Sequence, residues 1–335
     1  MIEGHGDDAY RYGCGIRYNF STNVYGGFDH SGLMAHLCSK SDCIRSYPEP
    51  VPESVESALA ALMGISSETV MVTNGATEAI YIMACEMSGR RSVVIAPTFS
   101  EYADACVMYS HRVDYVLSLD EVTDDAEMVW MCNPNNPTGR VTDKARLLTF
   151  IDSRPSTLFV VDQAYADYTV CPLITAREVV ERPNVVILGS FTKRFAIPGL
   201  RIGYAVGNHE LLARFKARRM PWSVNQLAIE GAKYLLSHIE DYPIDASRLH
   251  DEAERVGMAL GCMGIYVEPT DCNMLLCCLE RGSAATLKDY LVERHGILIR
   301  DASNFYGLTD RHFRVAVLSP YENDLLINAI NEWIS

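Results

Sequence analysis

A chain of 335 residues with 48% hydrophobic content is too long for one small core and has ample material for a buried sheet, which fits one large domain with a smaller companion. Its formal charge of −14, with no long Lys or Arg run to offset it, would repel a phosphate backbone and excludes nucleic acid as an expected partner; small anions remain open, because a few local cations and helix N-termini decide binding there. No apolar run approaches membrane-spanning length and the acidic opening MIEGHGDD lacks an apolar core, so a soluble, cytoplasmic chain with no membrane partner is expected.

In chain order, residues 1–40 read as an irregular arm, because Gly4, Gly6, Gly13, Gly15, Gly26 and Gly27 break any periodicity. Gly13-Cys14-Gly15 is no dinucleotide fingerprint, since the third glycine is missing and no strand precedes it. A helix is predicted over 52–63, with Pro52 at its start, Val55, Ala58, Leu59 and Leu62 on one face and Gly64 at its end. Strands are predicted over 70–73, 93–96, 128–132, 158–161, 185–188 and 202–206, most of them continuous apolar runs, as strands covered on both faces require. Helical stretches over 77–87 and 143–151 separate them, so an α/β domain around a mostly parallel sheet is expected, with its ligand at the strands' carboxyl ends. After about Pro221 the pattern changes to helices over 225–236 and 245–263, shorter strands over 274–278, 296–299 and 313–317, and a closing amphipathic helix over 322–334. The expected division is an N-terminal arm, 1–40, a large domain, 41–225, and a small α+β domain, 226–335, which the arm helps to complete. The 11 cysteines show no Cys-x-x-Cys pair and no zinc spacing with His, and read as small core residues in a reducing compartment; no metal site is expected.

Each predicted strand end carries a polar or aromatic group. Thr73-Asn74-Gly75-Ala76-Thr77-Glu78 lies between a strand and a helix, so the free N–H groups of Gly75, Ala76 and Thr77 can cradle a phosphate; an ordinary helix cap explains the same residues. Phe99, just beyond the next strand, can stack on an aromatic ring or simply pack in the core. Cys132-Asn133-Pro134-Asn135-Asn136-Pro137-Thr138-Gly139 forms a rigid turn whose amides can bond a ligand. Asp162 ends a buried strand, where a carboxylate needs a cationic partner, although a helix N-cap is an alternative. In Leu188-Gly189-Ser190-Phe191-Thr192-Lys193, a lysine just past a buried strand can be held unprotonated and attack a carbonyl carbon; alone, the segment reads equally as a surface Lys-Arg pair.

The order of these strings, Ser190-x-x-Lys193 with Arg201 eight residues on, Asp162-x-x-Tyr165, Asn136-Pro137-Thr138-Gly139, Phe99 and the glycine turn at Gly75, resembles fold-type I pyridoxal-phosphate enzymes, the aminotransferase superfamily, over nearly the whole chain. The resemblance implies pyridoxal 5'-phosphate carried on Lys193, its phosphate gripped by Ser190, Arg201 and the cradle, and its ring nitrogen paired with Asp162. It implies Asn136 and Tyr165 on the phenolic oxygen, Arg314 on the α-carboxylate of an amino acid substrate, and a homodimer with shared sites in which Tyr47 reaches the neighbouring cofactor phosphate. Within that superfamily, His5-Gly6, Phe20-Ser21-Thr22-Asn23, the run from Phe195 to Arg201, Pro221-Trp222-Ser223-Val224-Asn225 and the run from Gly296 to Phe305 resemble threonine-phosphate decarboxylases, relatives of histidinol-phosphate aminotransferases. Both handle substrates bearing a phosphate, which implies a second anion site with His5, Asn23, Arg300 and Arg194 as candidates. The chain departs from the decarboxylase pattern at Gly6-Asp7-Asp8, after Asn23, and at Tyr306, where arginine is common. A decarboxylase of the threonine-phosphate type is the first reading; a histidinol-phosphate-type aminotransferase using glutamate and 2-oxoglutarate, and a non-catalytic pyridoxal-phosphate-binding module, are the alternatives.

Overall fold

A computed structural model describes residues 8–335; His5 lies outside the described residues. The strands in chain order are β1 (Tyr18–Asn19), β2 (Val70–Thr73), β3 (Arg91–Ile95), β4 (Arg112–Val116), β5 (Met128–Cys132), β6 (Leu158–Asp162), β7 (Val185–Ser190) and β8 (Gly203–Gly207). They continue with β9 (Tyr266–Val267), β10 (Met274–Cys278), β11 (Ile297–Leu298), β12 (Arg300–Asp301) and β13 (His312–Ala316). Seven of them form one sheet in the order β2-β8-β7-β6-β5-β3-β4, parallel except for β8, which runs against both neighbours.

Side chains alternate across a strand, and this sheet uses both faces. Met128, Trp130 and Cys132 of β5 join one core while Val129 and Met131 join the other, and Val160 and Val161 of β6 divide in the same way. The first of these cores also takes in Met274, Leu275, Phe313 and Leu326, so it runs without a break into the antiparallel sheet β12-β13-β10-β9. The N-terminal segment closes the seam: β1 pairs in parallel with β11, and the Phe20 carbonyl accepts from Ala316 N at 2.9 Å.

Several expectations need correction. Residues 31–39 are not irregular: Ser31–Ser39 is a helix that buries Leu33 and packs on the helix Gln226–Ser237 where Gly231 lets it approach. Two adjacent weak formers at its start, Ser31 and Gly32, hide its period. Strand β4 carries no apolar run because it is the sheet's edge, with Arg112 and Asp114 facing solvent and the Arg91 guanidinium. The helix Ala284–His295, not marked above, has a capping box between Ser283 and Thr286 and a left-handed Gly296 at its end. Asp143 precedes its helix instead of joining it, capping Arg146 N at 2.8 Å. Of the cysteines, Cys106, Cys132, Cys272 and Cys277 are buried as expected, whereas Cys38 and Cys262 are exposed. No helix among the described residues is long and apolar enough to cross a membrane.

Candidate active site

The carboxyl ends of the parallel strands open onto a cavity of about 360 Å³. At one end, the helix Gly75–Glu86 starts directly after β2, leaving the first-turn N–H groups of Gly75, Ala76 and Thr77 without intrahelical partners. Gly75 has φ of +72°, and a Cβ there would fall 2.6 Å from an Arg201 guanidinium nitrogen. A Cβ on Gly203 would fall 2.4 Å from Ala76 N, so the start of β8 is fitted against the same turn. Ser190, the last residue of β7, makes no side-chain cap bond and faces this end with Thr77 and Arg201. Backbone donors, a hydroxyl and a guanidinium therefore converge as a phosphate requires.

At the other end, Asp162 is buried at the tip of β6. Its Oδ2 accepts from the Tyr102 hydroxyl at 2.7 Å and its Oδ1 from Ala164 N at 2.9 Å. Burial pushes the carboxyl above its ordinary value, opposed by those two donors and by the nearby charge of Lys193. Tyr102 lies stacked on Trp130 at 5.5 Å with rings 11° apart, and Phe99 meets it edge-on at 5.7 Å. Tyr102 was not among the expected residues: it lies in the first turn of the helix Glu101–Met108, and only the fold brings its hydroxyl to Asp162.

Lys193 sits on the short helix Phe191–Arg194 that follows β7, and its Nζ donates to the Thr22 carbonyl at 2.7 Å. The amine stands 5.5 Å from the centre of the Tyr165 ring, whose phenol is pushed up by burial. Behind it, the Tyr168 hydroxyl donates to the Lys193 carbonyl at 2.6 Å and accepts from Tyr25 N at 2.9 Å, which ties the N-terminal segment to the lysine's helix.

Opposite the sheet, Arg314 of β13 is 3% exposed and donates to Asn136 Oδ1 and to the Ser21 carbonyl, while its Nε has no partner among the described residues. Burial holds this guanidinium down to about 10, and Arg300 adds to the depression. Arg300 stands directly across from Arg314 in the β12–β13 pairing, and the two share a gap of about 30 Å³ with Asn136 and Phe99.

The expected residues Ala76, Thr77, Phe99, Asn136, Asp162, Tyr165, Ser190, Lys193, Arg201 and Arg314 are thus brought to one cavity, with Gly75 beneath its phosphate end and Arg300 one gap away. Arg194 is not: it bonds Asp167 at 3.0 Å and the Tyr242 carbonyl at 2.7 Å in a separate cavity of about 140 Å³, because consecutive helix residues point about 100° apart and Arg194 is turned away from Lys193. Asn23 is fully buried beside the Tyr165 phenol, with its amide on Met274 Sδ at 3.3 Å, while Ser21 and Thr22 line the cavity instead. Tyr47 is 86% exposed and packs against Trp222 at 5.5 Å, away from this chain's cavity. Among the described residues no cluster of three His, Cys, Asp or Glu could hold a metal ion.

The donor set fits pyridoxal 5'-phosphate. A phosphate matches the cradle with Arg201, an aromatic ring matches the span beside Phe99, and a protonated ring nitrogen would supply the cation that buried Asp162 calls for.

Comparison with known proteins agrees. The family described as aminotransferase class I and II matches residues 18–330. The threonine-phosphate decarboxylase of Salmonella typhimurium is 30% identical over 329 residues, covering 93% of this chain and 90% of that protein. A histidinol-phosphate aminotransferase of Caldanaerobacter subterraneus subsp. tengcongensis is also 30% identical, over 319 residues, covering 88% and 86%. Among solved structures, the L-threonine-O-3-phosphate decarboxylase from Porphyromonas gingivalis superposes with a TM-score of 0.91 at 36% identity, covering 95% of this chain and 99% of that one. The histidinol-phosphate aminotransferase from Sinorhizobium meliloti in complex with pyridoxal-5'-phosphate gives 0.87 at 21% identity, covering 97% and 92%, and at that identity shares the fold alone.

Proposed function

We propose, from the premise that this chain belongs to the aminotransferase class I and II family and is a pyridoxal-phosphate-dependent enzyme, that it acts as a threonine-phosphate decarboxylase, releasing CO2 from O-phosphothreonine. The observation that carries this reading is the pairing of Arg300 with Arg314. Directly opposed residues on an antiparallel pair point to the same face with Cβ atoms about 5 Å apart. Both guanidiniums are buried, at 7% and 3% exposure, and burial lowers the pKa of each. Two like charges held this way repel, and a compact substrate with a carboxylate at one end and a phosphate at the other relieves both.

In this reading the Arg314 fork takes the α-carboxylate and Arg300, steadied by Asn304 Oδ1 at 2.7 Å, takes the second anion. Ala76, Thr77, Ser190 and Arg201 hold the cofactor phosphate, and Asp162 keeps the ring nitrogen protonated. When bound, pyridoxal phosphate supplies an electron sink for the pair left on Cα. Lys193 Nζ gives a proton to Cα as CO2 departs, so one bond breaks and one forms. The grip at both ends of the substrate fixes which Cα bond stands out of the ring plane, and hence which one breaks.

The second reading, a histidinol-phosphate-type aminotransferase, is favoured by the comparable likeness to that relative and by glutamate, whose two carboxylates would also suit the arginine pair. Lys193 Nζ would then take the proton from Cα. Incubation with O-phosphothreonine, and separately with histidinol phosphate plus 2-oxoglutarate, separates the two by CO2 release against glutamate formation. The decarboxylase reading fails if O-phosphothreonine yields no CO2 while glutamate accumulates in the other reaction.

We further propose a homodimer. Ile44, Tyr47, Met220 and Trp222 are exposed apolar residues, and Trp222 N donates to the Pro50 carbonyl. The adjoining Ser223 carbonyl accepts from Asn74, the residue before the cradle, so a second copy covering these residues would lie within reach of the phosphate end. A cytoplasmic location, where the free cysteines stay reduced, completes the reading.

A further inference from the structure

The turn at 302–308 joins β12 to β13 and has a small apolar cluster of its own, Leu276, Ala302 and Phe305 with Leu308, separate from the two main cores. It is closed by Ala302 N to the His312 carbonyl at 2.9 Å and by Phe305 N to the Ala302 carbonyl at 3.1 Å. Asn304 and Phe305 line the gap between the two arginines: Asn304 Oδ1 accepts from Arg300, and the Phe305 ring lies 5.4 Å from the same guanidinium. The next residue, Tyr306, reaches away from the turn and lies flat on Tyr115 of the edge strand β4, with ring centroids 4.0 Å apart and planes 6° apart. Gly307 then passes beside Leu117, just beyond that strand.

The chemistry of this pair is specific. Tyr115 is 38% and Tyr306 54% exposed, so the rings belong to neither main core, and the contact joins two different sheets. Parallel rings at this separation form a tight, flat contact that holds the two backbones together. The wall that sets the depth of the second anion site is therefore fastened to the large sheet by one ring on another. The gap beyond Arg314, about 30 Å³, is narrow beside the main cavity of about 360 Å³.

We infer that Tyr306, stacked on Tyr115, is a specificity-determining positioning residue: it anchors the Asn304–Phe305 wall, holds Arg300 in place, and, resting on the compact dianionic substrate proposed above, limits the enzyme to short amino acids with a second anion. Neither tyrosine touches the reacting atoms. Their contribution lies in how much space and how fixed a cation the substrate finds.

The test uses the holoenzyme of Tyr306→Ala, Tyr115→Ala, the double variant and Tyr306→Phe. Cofactor absorbance and a thermal melt report that each is folded and loaded. Amide hydrogen exchange over 303–307, measured with no substrate, is expected to quicken about three- to tenfold in both alanine variants and to stay near wild type in Tyr306→Phe. Titration with O-phospho-L-threonine, followed by the cofactor's visible absorbance, is expected to show Kd weakened about three- to tenfold, while L-histidinol phosphate binding is unchanged or improved. Where turnover is measured, KM rises with kcat little changed. The double variant should match either single one, because removing one ring already removes the contact. The inference is overturned by unchanged exchange at 303–307, by effects of the two alanine variants that add, or by Tyr306→Phe behaving like Tyr306→Ala. Should neither ligand bind, the proposed substrate class falls, and the exchange comparison still decides whether the pair anchors the wall.

Discussion

At the scale of single residues, the site depends on a carboxylate kept in a place where it would rather be neutral. Because burial raises the Asp162 carboxyl above its unfolded value, the cofactor-free fold binds that proton more tightly than the unfolded chain does. This contribution to stability is complete below the unfolded value and lost as pH rises through the raised one. Urea denaturation of the cofactor-free protein from about pH 4 to pH 7 should therefore show a decline in wild type that Asp162→Asn lacks. Addition of pyridoxal phosphate should raise Tm more in wild type than in Asp162→Asn, since only the carboxylate gains a cationic partner. The Tyr102 hydroxyl opposes the rise, so Tyr102→Phe should push the carboxyl higher still and cost about 1–3 kcal/mol in the cofactor-loaded enzyme, read by denaturation and by a shifted pH dependence of the cofactor band. Much of this layer was legible in the sequence: a polar residue ending an apolar run, as at Asp162, marks a strand tip, and strand tips in such sheets face the ligand. Tyr102 was not legible, because its partner lies 60 positions away and only the fold brings them together. Arg194 shows the converse. Adjacency to Lys193 in sequence says nothing of which side of a one-turn helix it takes.

At the scale of elements, the phosphate end is braced from outside. Glu56, on the helix Glu53–Met63, is buried and accepts from Val72 N at 3.0 Å and from Arg219 Nη1 at 2.6 Å, while the same guanidinium nitrogen donates to the Val72 carbonyl at 3.1 Å. One ion pair thus holds the open edge of β2, the strand that leads into the cradle. Glu56→Ala would leave Arg219, whose side chain is 5% exposed, buried without its anion, at a cost of about 3–5 kcal/mol in chemical denaturation. The same change should weaken cofactor binding without touching any cofactor contact. Elements with a clear apolar signal, periodic in the helix Glu53–Met63 and continuous in strands β5 to β7, were readable within a residue or two. Strand β4 was not, because an edge strand is half solvated and its charges break the apolar run that identifies its neighbours.

At the scale of the whole molecule, sharing of sites between two copies leads to a complementation experiment. If Tyr47 serves the partner's site, then Lys193→Ala and Tyr47→Ala spoil different halves of it. Unfolded together and refolded, the two variants should regain activity in roughly a quarter of sites, since each mixed dimer carries one intact combination. Recovery no greater than the sum of the two separate activities, with a dimer still present by sedimentation, would show that each site is built from one chain. The exposure of Tyr47 was readable only through the resemblance, since an aromatic between two turn residues reads by itself as well for a core as for a surface.

The segment from Phe20 to Tyr25 has a further consequence. It supplies a carbonyl to Ala316 N, another to Arg314 and a third to Lys193. During translation this piece emerges well before its berth on β13, which for the Ser21–Arg314 bond lies 293 positions later. A nascent chain must therefore keep the Phe20 carbonyl unspent while the central sheet assembles. Lys193 can find its Thr22 partner once the central sheet exists, whereas Arg314 finds Ser21 only after β13 has been made.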